Sequence, residues 1–343
     1  MKKRILFVVN PISGTGRKTH IGRSIDRLLD KKQYEHELRL TEYAGHAAAL
    51  AAEAAKQGFD VVAAVGGDGT VNEVARAIVH SGTALAILPC GSGNGLARHL
   101  QIPLDTVGAM RVINEGNVLS LDYGRINGRP FFCTCGVGFD AFVSLKFANS
   151  SRRGLLSYVE NALGEAIKYK PGTYTVEAAD GTASYEAFLI ACANASQYGN
   201  NAYIAPEASM EDGLMDVIIL EPFNPIEAPQ IALQLFNKTL PKNSHVKTLR
   251  TNHVRIRRDA PGVAHCDGDP FLTGADINVE IFQRNFRAVA RPHHGSGRKN
   301  LFQLFSELSN DWQQLPAELL RLRQEQLRRM NRTLRDRFRR PDN

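Results

Sequence analysis

Paired cysteines are the first thing missing from this chain. Its 343 residues include five, Cys90, Cys133, Cys135, Cys192 and Cys266, an odd number with no CxxC pair among them. That suggests neither a disulfide framework nor a cysteine zinc site, and it reads as reduced thiols in a cytoplasmic protein. Hydrolase signatures are missing too: there is no HExxH and no Ser-His-Asp order. His46, His80, His99, His245, His253 and His265 are scattered, which reads as structural or surface histidine. No apolar run approaches the roughly 18 residues of a membrane span. The start, MKKRILFVVNP, is basic, but only residues 5–9 follow before Asn10-Pro11, too few for a signal-peptide core, so export is not expected.

Net positive charge is scarce in the body of the chain, which is nearly neutral, and is concentrated at its end. From Arg291 onward there are twelve Lys/Arg against six Asp/Glu, which accounts for most of the formal net charge of +7. No nucleic-acid recognition motif accompanies this basic tail, so an anionic membrane surface is the better partner. The length allows two domains, each with its own core.

What is present is glycine, placed at the ends of apolar runs. In VVAAVGGDGTVNE (61–73) a β-branched run reads as a buried strand. Gly66, Gly67 and Gly69 then permit a turn that side chains would block. Thr70 is expected to cap a helix beginning at Val71. Strand, glycine turn and helix N-terminus together make an anion site. Asp68 would repel a phosphate unless a divalent cation lay between them. Alone, GGDG is equally a tight βα connection with an exposed aspartate.

Its neighbours favour the phosphate site. A strand at 4–9 runs into NPISGTG (10–16), which is not a P-loop because Arg17 precedes Lys18. Helix 21–29, strand 35–41 ending at Thr41, an alanine-rich helix at 45–57, helix 71–80 and strand 84–88 follow. The last runs into PCGSGNG (89–95) and another helix. Strands alternating with helices imply a parallel sheet whose C-terminal loops converge along one edge, where ligands bind.

From 118 the pattern changes to strands joined by turns. Hairpins are expected across Asn127-Gly128 and Asp180-Gly181, with strands at 118–126, 130–135, 174–178, 184–194, 215–220, 251–258, 263–266 and 277–282. Helices are expected at 155–168 and 226–235. The boundaries are 1–122 for an α/β unit, 123–290 for an antiparallel sandwich, and 291–343 for a linker and helical tail. Two acidic turns, 207–213 and 266–270, offer carboxylates to a hard cation or as a general base. In the tail, a helix over 317–339 carries Leu320, Leu327, Met330, Leu334 and Phe338 near one face and arginines elsewhere. Such a helix suits anionic lipid, or else dimerisation.

Assembled, these segments resemble the diacylglycerol-kinase-type lipid kinases, including soluble bacterial diacylglycerol kinases and, more distantly, sphingosine and ceramide kinases. The resemblance spans about residues 3 to 290 and rests on VNPISGTG, GGDGTVNEV, LPCGSGNGLAR, GVGFDA, EDGLMDV and DGD in the family's order. GGDGT alone is shared with NAD kinases. The resemblance implies a Rossmann-like α/β domain of the NAD kinase/diacylglycerol kinase type followed by a β-sandwich, with the site between them. It implies ATP as co-substrate, touched by Asn10, Ser13, Gly14, Thr41, Gly67, Asp68, Gly69, Thr70, Ser92 and Asn94. Asp68 would organise catalytic Mg²⁺. Ser209 and Leu214 through carbonyls, with Asp212, would hold a second Mg²⁺.

The general base would be Asp269, standing where the family usually has Glu, or else Asp68. Asp140 matches an aspartate that binds the lipid headgroup in sphingosine kinases. The expected reaction is phosphoryl transfer to a membrane lipid, diacylglycerol first and a sphingoid base second, by a cytoplasmic enzyme attached peripherally to the membrane. An NAD-kinase-like enzyme with a soluble substrate, or a silent binding module, is the competing reading.

Overall fold

The computed structural model describes residues 2–13, 21–148, 165–166 and 168–292. Gly14, most of the helix expected at 155–168, and the tail from 293 lie outside the described residues.

The first half alternates strand and helix: β1 (Lys3–Val9), α1 (Ile21–Leu28), β2 (Tyr34–Leu40), α2 (His46–Lys56), β3 (Val61–Gly66), α3 (Asp68–Ile78), β4 (Ala84–Pro89), then α4 (Gly95–His99) and α5 (Thr106–Glu115). The four strands are parallel in the order β2-β1-β3-β4. β3 and β4 are buried at every position, which is why they read as unbroken apolar runs rather than alternating ones. β2, at the edge, carries the charges of YEHELRL instead. α5 has no counterpart among the expected helices. Its signals are ordinary ones: Asp105 caps it by accepting from the Gly108 amide, and Gly116 closes it at φ 67°.

α3 starts earlier than expected. Gly67 is its N-cap, so Asp68 occupies the first turn and Thr70 is already inside the helix. Thr70 therefore does not cap; it is buried, and its Oγ1 accepts from Asn10 Nδ2.

The second half contains β5 (Val118–Ile126), β6 (Arg129–Phe131), β7 (Thr134–Gly138), α6 (Phe139–Ala148), β8 (Gly172–Ala178), β9 (Gly181–Ala187), β10 (Leu189–Ala193), β11 (Met215–Leu220), α7 (Ala228–Phe236), β12 (Val246–Thr251), β13 (His253–Arg258), β14 (Gly262–Cys266), β15 (Asp269–Thr273) and β16 (Asp276–Val289). One sheet of six strands runs β12-β11-β10-β7-β14-β15. The other is continuous with the parallel sheet: β16 pairs β4 and leads on to β13, β8 and β9, with β5 and β6 branching from it. One ten-stranded sheet therefore serves both halves.

Two expected strands divide between the two sheets: 184–194, and 130–135, which parts at Phe132 and Cys133 into β6 and β7. The run at 184–194 breaks at Phe188, whose amide bonds Leu220 O, sending β9 to one sheet and β10 to the other. The strand expected at 251–258 is β13, and β12, which precedes it in the other sheet, has no counterpart among the expected strands. β10 and β11 are buried throughout, and their period of two shows why. Ile190, Cys192, Val217 and Ile219 enter the core between the sheets. Leu189, Ala191, Ile218 and Leu220 join a second cluster with Ile231 of α7 and Leu240. No helix among the described residues is long and apolar enough to cross a membrane.

Candidate active site

The loops after β1, β3 and β4 interlock. Asn10 donates from Nδ2 to Thr70 Oγ1 at 3.1 Å, while its Oδ1 accepts from the Ile12 amide at 3.1 Å. The Ser13 hydroxyl donates to Asn10 O, and the Thr41 amide to Val9 O. The loops after β3 and β4 touch backbone to backbone: a Cβ on Gly91 would sit 2.6 Å from Gly67 Cα. Asn94, at φ 51°, laces its own loop by accepting from the Gly91 amide and donating to Gly91 O.

Asp68 is held by two backbone amides of the loop after β4. Its Oδ2 accepts from the Asn94 amide at 2.8 Å and its Oδ1 from the Gly95 amide at 2.7 Å, so it caps α4 from the neighbouring loop. A Cβ on Gly93 would lie 2.6 Å from Asp68 Oδ2, so only glycine leaves room for this carboxylate. The charge that seemed to need a cation is met first by amide dipoles.

The acidic turn of the second half comes to the same place. Asp267 and Gly268, at φ 53° and 84°, join β14 to β15. The Asp267 carboxylate is turned inward and accepts from the amides of Phe132, Cys133 and Thr134. Burial pushes this carboxyl above its usual range, against the pull of those amides and of Arg76. Asp267 thus shapes the turn, while Asp269 is displayed by it.

α3 reaches across to this turn along one face. Asp68, Asn72 and Arg76 follow each other at four-residue spacing. Asn72 Nδ2 donates to Asp267 O at 3.4 Å; Arg76 donates to Asp269 Oδ2 at 2.9 Å and to Cys266 O at 3.1 Å. Burial disfavours the Arg76 cation, but Cys266, Asp267 and Asp269 outweigh it and raise its pKa.

Asp68, Gly69, Ser92 and Asp269 line one cavity of about 460 Å³. Asp140 lines it too, on α6 between the cavity residues Phe139 and Val143. Beyond them the lining is apolar, with Phe188, Leu220, Ile231 and Leu235. His265 is one of the histidines read as structural or surface. It is buried, lines this cavity, and its Nε2 lies 2.9 Å from Asp140 Oδ2. Of the residues that the sequence reading passed over, Asn72 and Arg76 were detectable from their helical spacing after Asp68. His265 and Tyr198 were not, because they meet Asp140 only through the fold of the sheet.

The two cation positions fare differently. Each Asp68 oxygen accepts one amide, which leaves carboxylate lone pairs for a cation on the cavity side. Ser209, Asp212 and Leu214 lie outside the cavity lining, in the loop before β11. There Asp212 accepts from the Leu214 amide and from Arg250, which also pairs with Asp216. Asp122 grips the same loop through the Gly213 amide. Asp212 thus carries a guanidinium in this structure, in the same loop as Ser209 and Leu214. Among the described residues no cluster of three or more His, Cys, Asp or Glu could hold a metal.

Amide-rich glycine loops facing an acidic turn across a cavity with an apolar end define a phosphotransferase for a lipid acceptor. Comparison with known proteins agrees. Residues 4–126 match the diacylglycerol kinase catalytic domain, and residues 133–282 the YegS C-terminal NAD kinase beta sandwich-like domain. The chain is 28% identical over 289 residues to a diacylglycerol kinase of Bacillus subtilis (strain 168), covering 81% of this chain and 94% of that one. It is 30% identical over 263 residues to a probable lipid kinase YegS-like of Chromohalobacter salexigens, covering 74% and 81%. A crystal structure of a diacylglycerol kinase from Bacillus anthracis str. Sterne shares the fold, with TM-score 0.68 at 19% identity over 84% of this chain and 97% of that one. The chain belongs to the diacylglycerol kinase and YegS-like lipid kinase family. It is a lipid kinase, and kinases of this family use ATP.

Proposed function

We propose that the chain transfers the γ-phosphoryl group of ATP to the hydroxyl of diacylglycerol, giving phosphatidic acid. One observation carries this reading: Asp68 and Asp269, contributed by the two halves, line a single cavity whose far end is apolar. Phosphoryl transfer asks the protein mainly for positioning and charge neutralisation. The loops bearing Gly67, Gly69, Thr70, Ser92 and Asn94, with Asn10, Ser13 and Thr41 along the same sheet edge, hold the nucleotide, to which the family resemblance adds Gly14. Bound Mg²⁺ would neutralise charge on the phosphate oxygens, and Asp68 would hold it. Asp269 accepts the proton of the lipid hydroxyl. It suits that role better than Asp68, both of whose oxygens are engaged by amides, whereas the Asp269 side chain is 57% exposed beside Arg76.

A sphingoid base is the second reading, favoured by the GSGN loop and by Asp140. A cationic amine would want that carboxylate, but the donors already on it, Tyr198 and His265, leave the same room for either lipid. Diacylglycerol is therefore put first on the relatives named diacylglycerol kinase. The basic tail would bring the enzyme to the anionic inner face of the cytoplasmic membrane, with dimerisation as its alternative role; a nucleic-acid partner has no motif in its favour. The experiment is incubation with [γ-³²P]ATP, Mg²⁺ and a total lipid extract, followed by identification of the labelled product. Label in phosphatidic acid is expected; label in a sphingoid phosphate selects the second reading, and label in no lipid overturns both.

A further inference from the structure

His265 bridges two elements that the reaction must coordinate. Its Nε2 lies 2.9 Å from Asp140 Oδ2, on α6, and its Nδ1 lies 3.4 Å from the Gly268 amide nitrogen, in the turn that displays Asp269. A backbone amide only donates, so Nδ1 is the acceptor and the ring proton sits on Nε2, donating to Asp140. The Tyr198 hydroxyl donates to the same Oδ2 at 3.3 Å, and the Ala141 amide to Oδ1 at 2.7 Å. A carboxylate has about four acceptor positions, so Asp140 keeps roughly one for a donor on the lipid.

The turn at the other end of the imidazole has little freedom of its own. Asp267 and Gly268 both lie at positive φ, the two-residue hairpin geometry. The Asp267 side chain is fastened to three amides, so the Gly268 amide is one of the few points where another group can set the turn's tilt.

We propose that His265 is a positioning residue that ties the lipid-binding carboxylate Asp140 to the turn bearing Asp269. One ring thereby sets both where an alcohol-bearing lipid is captured and where its proton is received. This rests on the lipid-kinase reading of the cavity and on Asp140 as its acceptor-side carboxylate.

The two ring nitrogens can be tested separately, because Gln places an amide nitrogen near the Nε2 position and Asn places an oxygen near Nδ1. Initial rates would be measured with dioctanoylglycerol in detergent micelles and with ATP, alongside melting temperatures. His265→Leu is expected to raise the lipid KM and lower kcat, each by about tenfold, the effect of losing one hydrogen bond to a charged or positioned group. The KM for ATP should stay within about twofold. His265→Gln should restore the lipid KM and leave kcat low, and His265→Asn should restore kcat and leave the lipid KM high.

If Gln and Asn give the same pattern as each other, or if the ATP KM rises with the lipid KM, His265 only fills space and the proposal is overturned. Should His265→Leu fail to fold, the Gln and Asn variants still carry the comparison against the unsubstituted enzyme. If that enzyme prefers another lipid, the same series is run with it. If it phosphorylates no lipid at all, the reading of the cavity fails, a result distinct from normal lipid kinetics in all three variants.

Discussion

Arg76 of α3 meets Asp269 of β15 at 2.9 Å, joining the helix that begins with Asp68 to the acid on the opposite wall. Four residues earlier on the same helix face, Asn72 reaches the carbonyl of Asp267. The nucleotide side and the acceptor side are thus registered to each other by side chains of a single helix.

Asp269→Asn keeps an acceptor for Arg76 but removes the basic group. The expected outcome is a fall in kcat of about 10²–10⁴-fold, the usual worth of a positioned general base, with the KM for ATP largely kept. Steady-state kinetics with dioctanoylglycerol check it. Near-normal turnover would take Asp269 out of that role.

Asp68→Ala removes the carboxylate that two amides of the adjacent loop hold. Turnover is expected to fall to background, and melting should also shift downward, because each charge-assisted hydrogen bond is worth about 1.5–3 kcal/mol. A labelled-ATP assay together with calorimetry reads both. Full activity with an unchanged melting temperature would contradict the assignment.

Glu73 closes a helix that has no cap of its own. The N-cap of α2 is Gly45, which offers no side chain, and Glu73 accepts from the amides of Gly45 at 3.0 Å and Ala47 at 3.2 Å. Glu73→Ala is expected to cost about 1–2 kcal/mol in urea unfolding, the scale of a lost N-cap, and Glu73→Gln less, since one oxygen remains.

Asp267 gives a pH dependence with a definite sign. Burial raises its carboxyl above the ordinary 3.8. The native chain therefore holds this proton more tightly than the unfolded chain does, and ionisation costs stability. That cost is absent below 3.8, grows as pH rises through the raised native value, and is constant above it. Asp267→Asn can keep the amide bonds that converge on Oδ1 without the charge. The unfolding free energy of the unsubstituted chain minus that of the variant should then fall with rising pH and level off. Urea titrations from roughly pH 3.5 to 8 measure it, and a difference that grows with pH would have the wrong sign.

Deleting residues 300–343 is expected to weaken sedimentation with vesicles rich in anionic lipid while leaving activity on micellar dioctanoylglycerol. Unchanged vesicle binding would remove the membrane role from the tail and leave dimerisation.

Local signals made the nucleotide side readable. Unbroken apolar runs ending in glycine specify buried strands and amide-lined turns within a dozen residues, so the loops around Gly67 and Ser92 could be placed in advance. The start of α3 was misjudged because Thr70 is a good cap by type, whereas Gly67 allows the helix to begin at Asp68. The breaks at Phe188 and at Phe132-Cys133 leave no local trace, since both sides of each remain good strand sequence and only the two sheets tell them apart. Asp269 was recognised as an acid on a turn, but Arg76, Asp267 and His265 take their meaning from partners more than 120 residues away.

The longest strand has a consequence for how the molecule is made. β16 supplies neighbours to β4, β5 and β13, so the parallel sheet that cradles the glycine loops lacks its flank until residue 288 has emerged. During synthesis the nucleotide half must wait, exposed at β4, for almost the whole remaining polypeptide. A ribosome stalled after α5 should therefore present an early intermediate that proteases cut and chaperones hold.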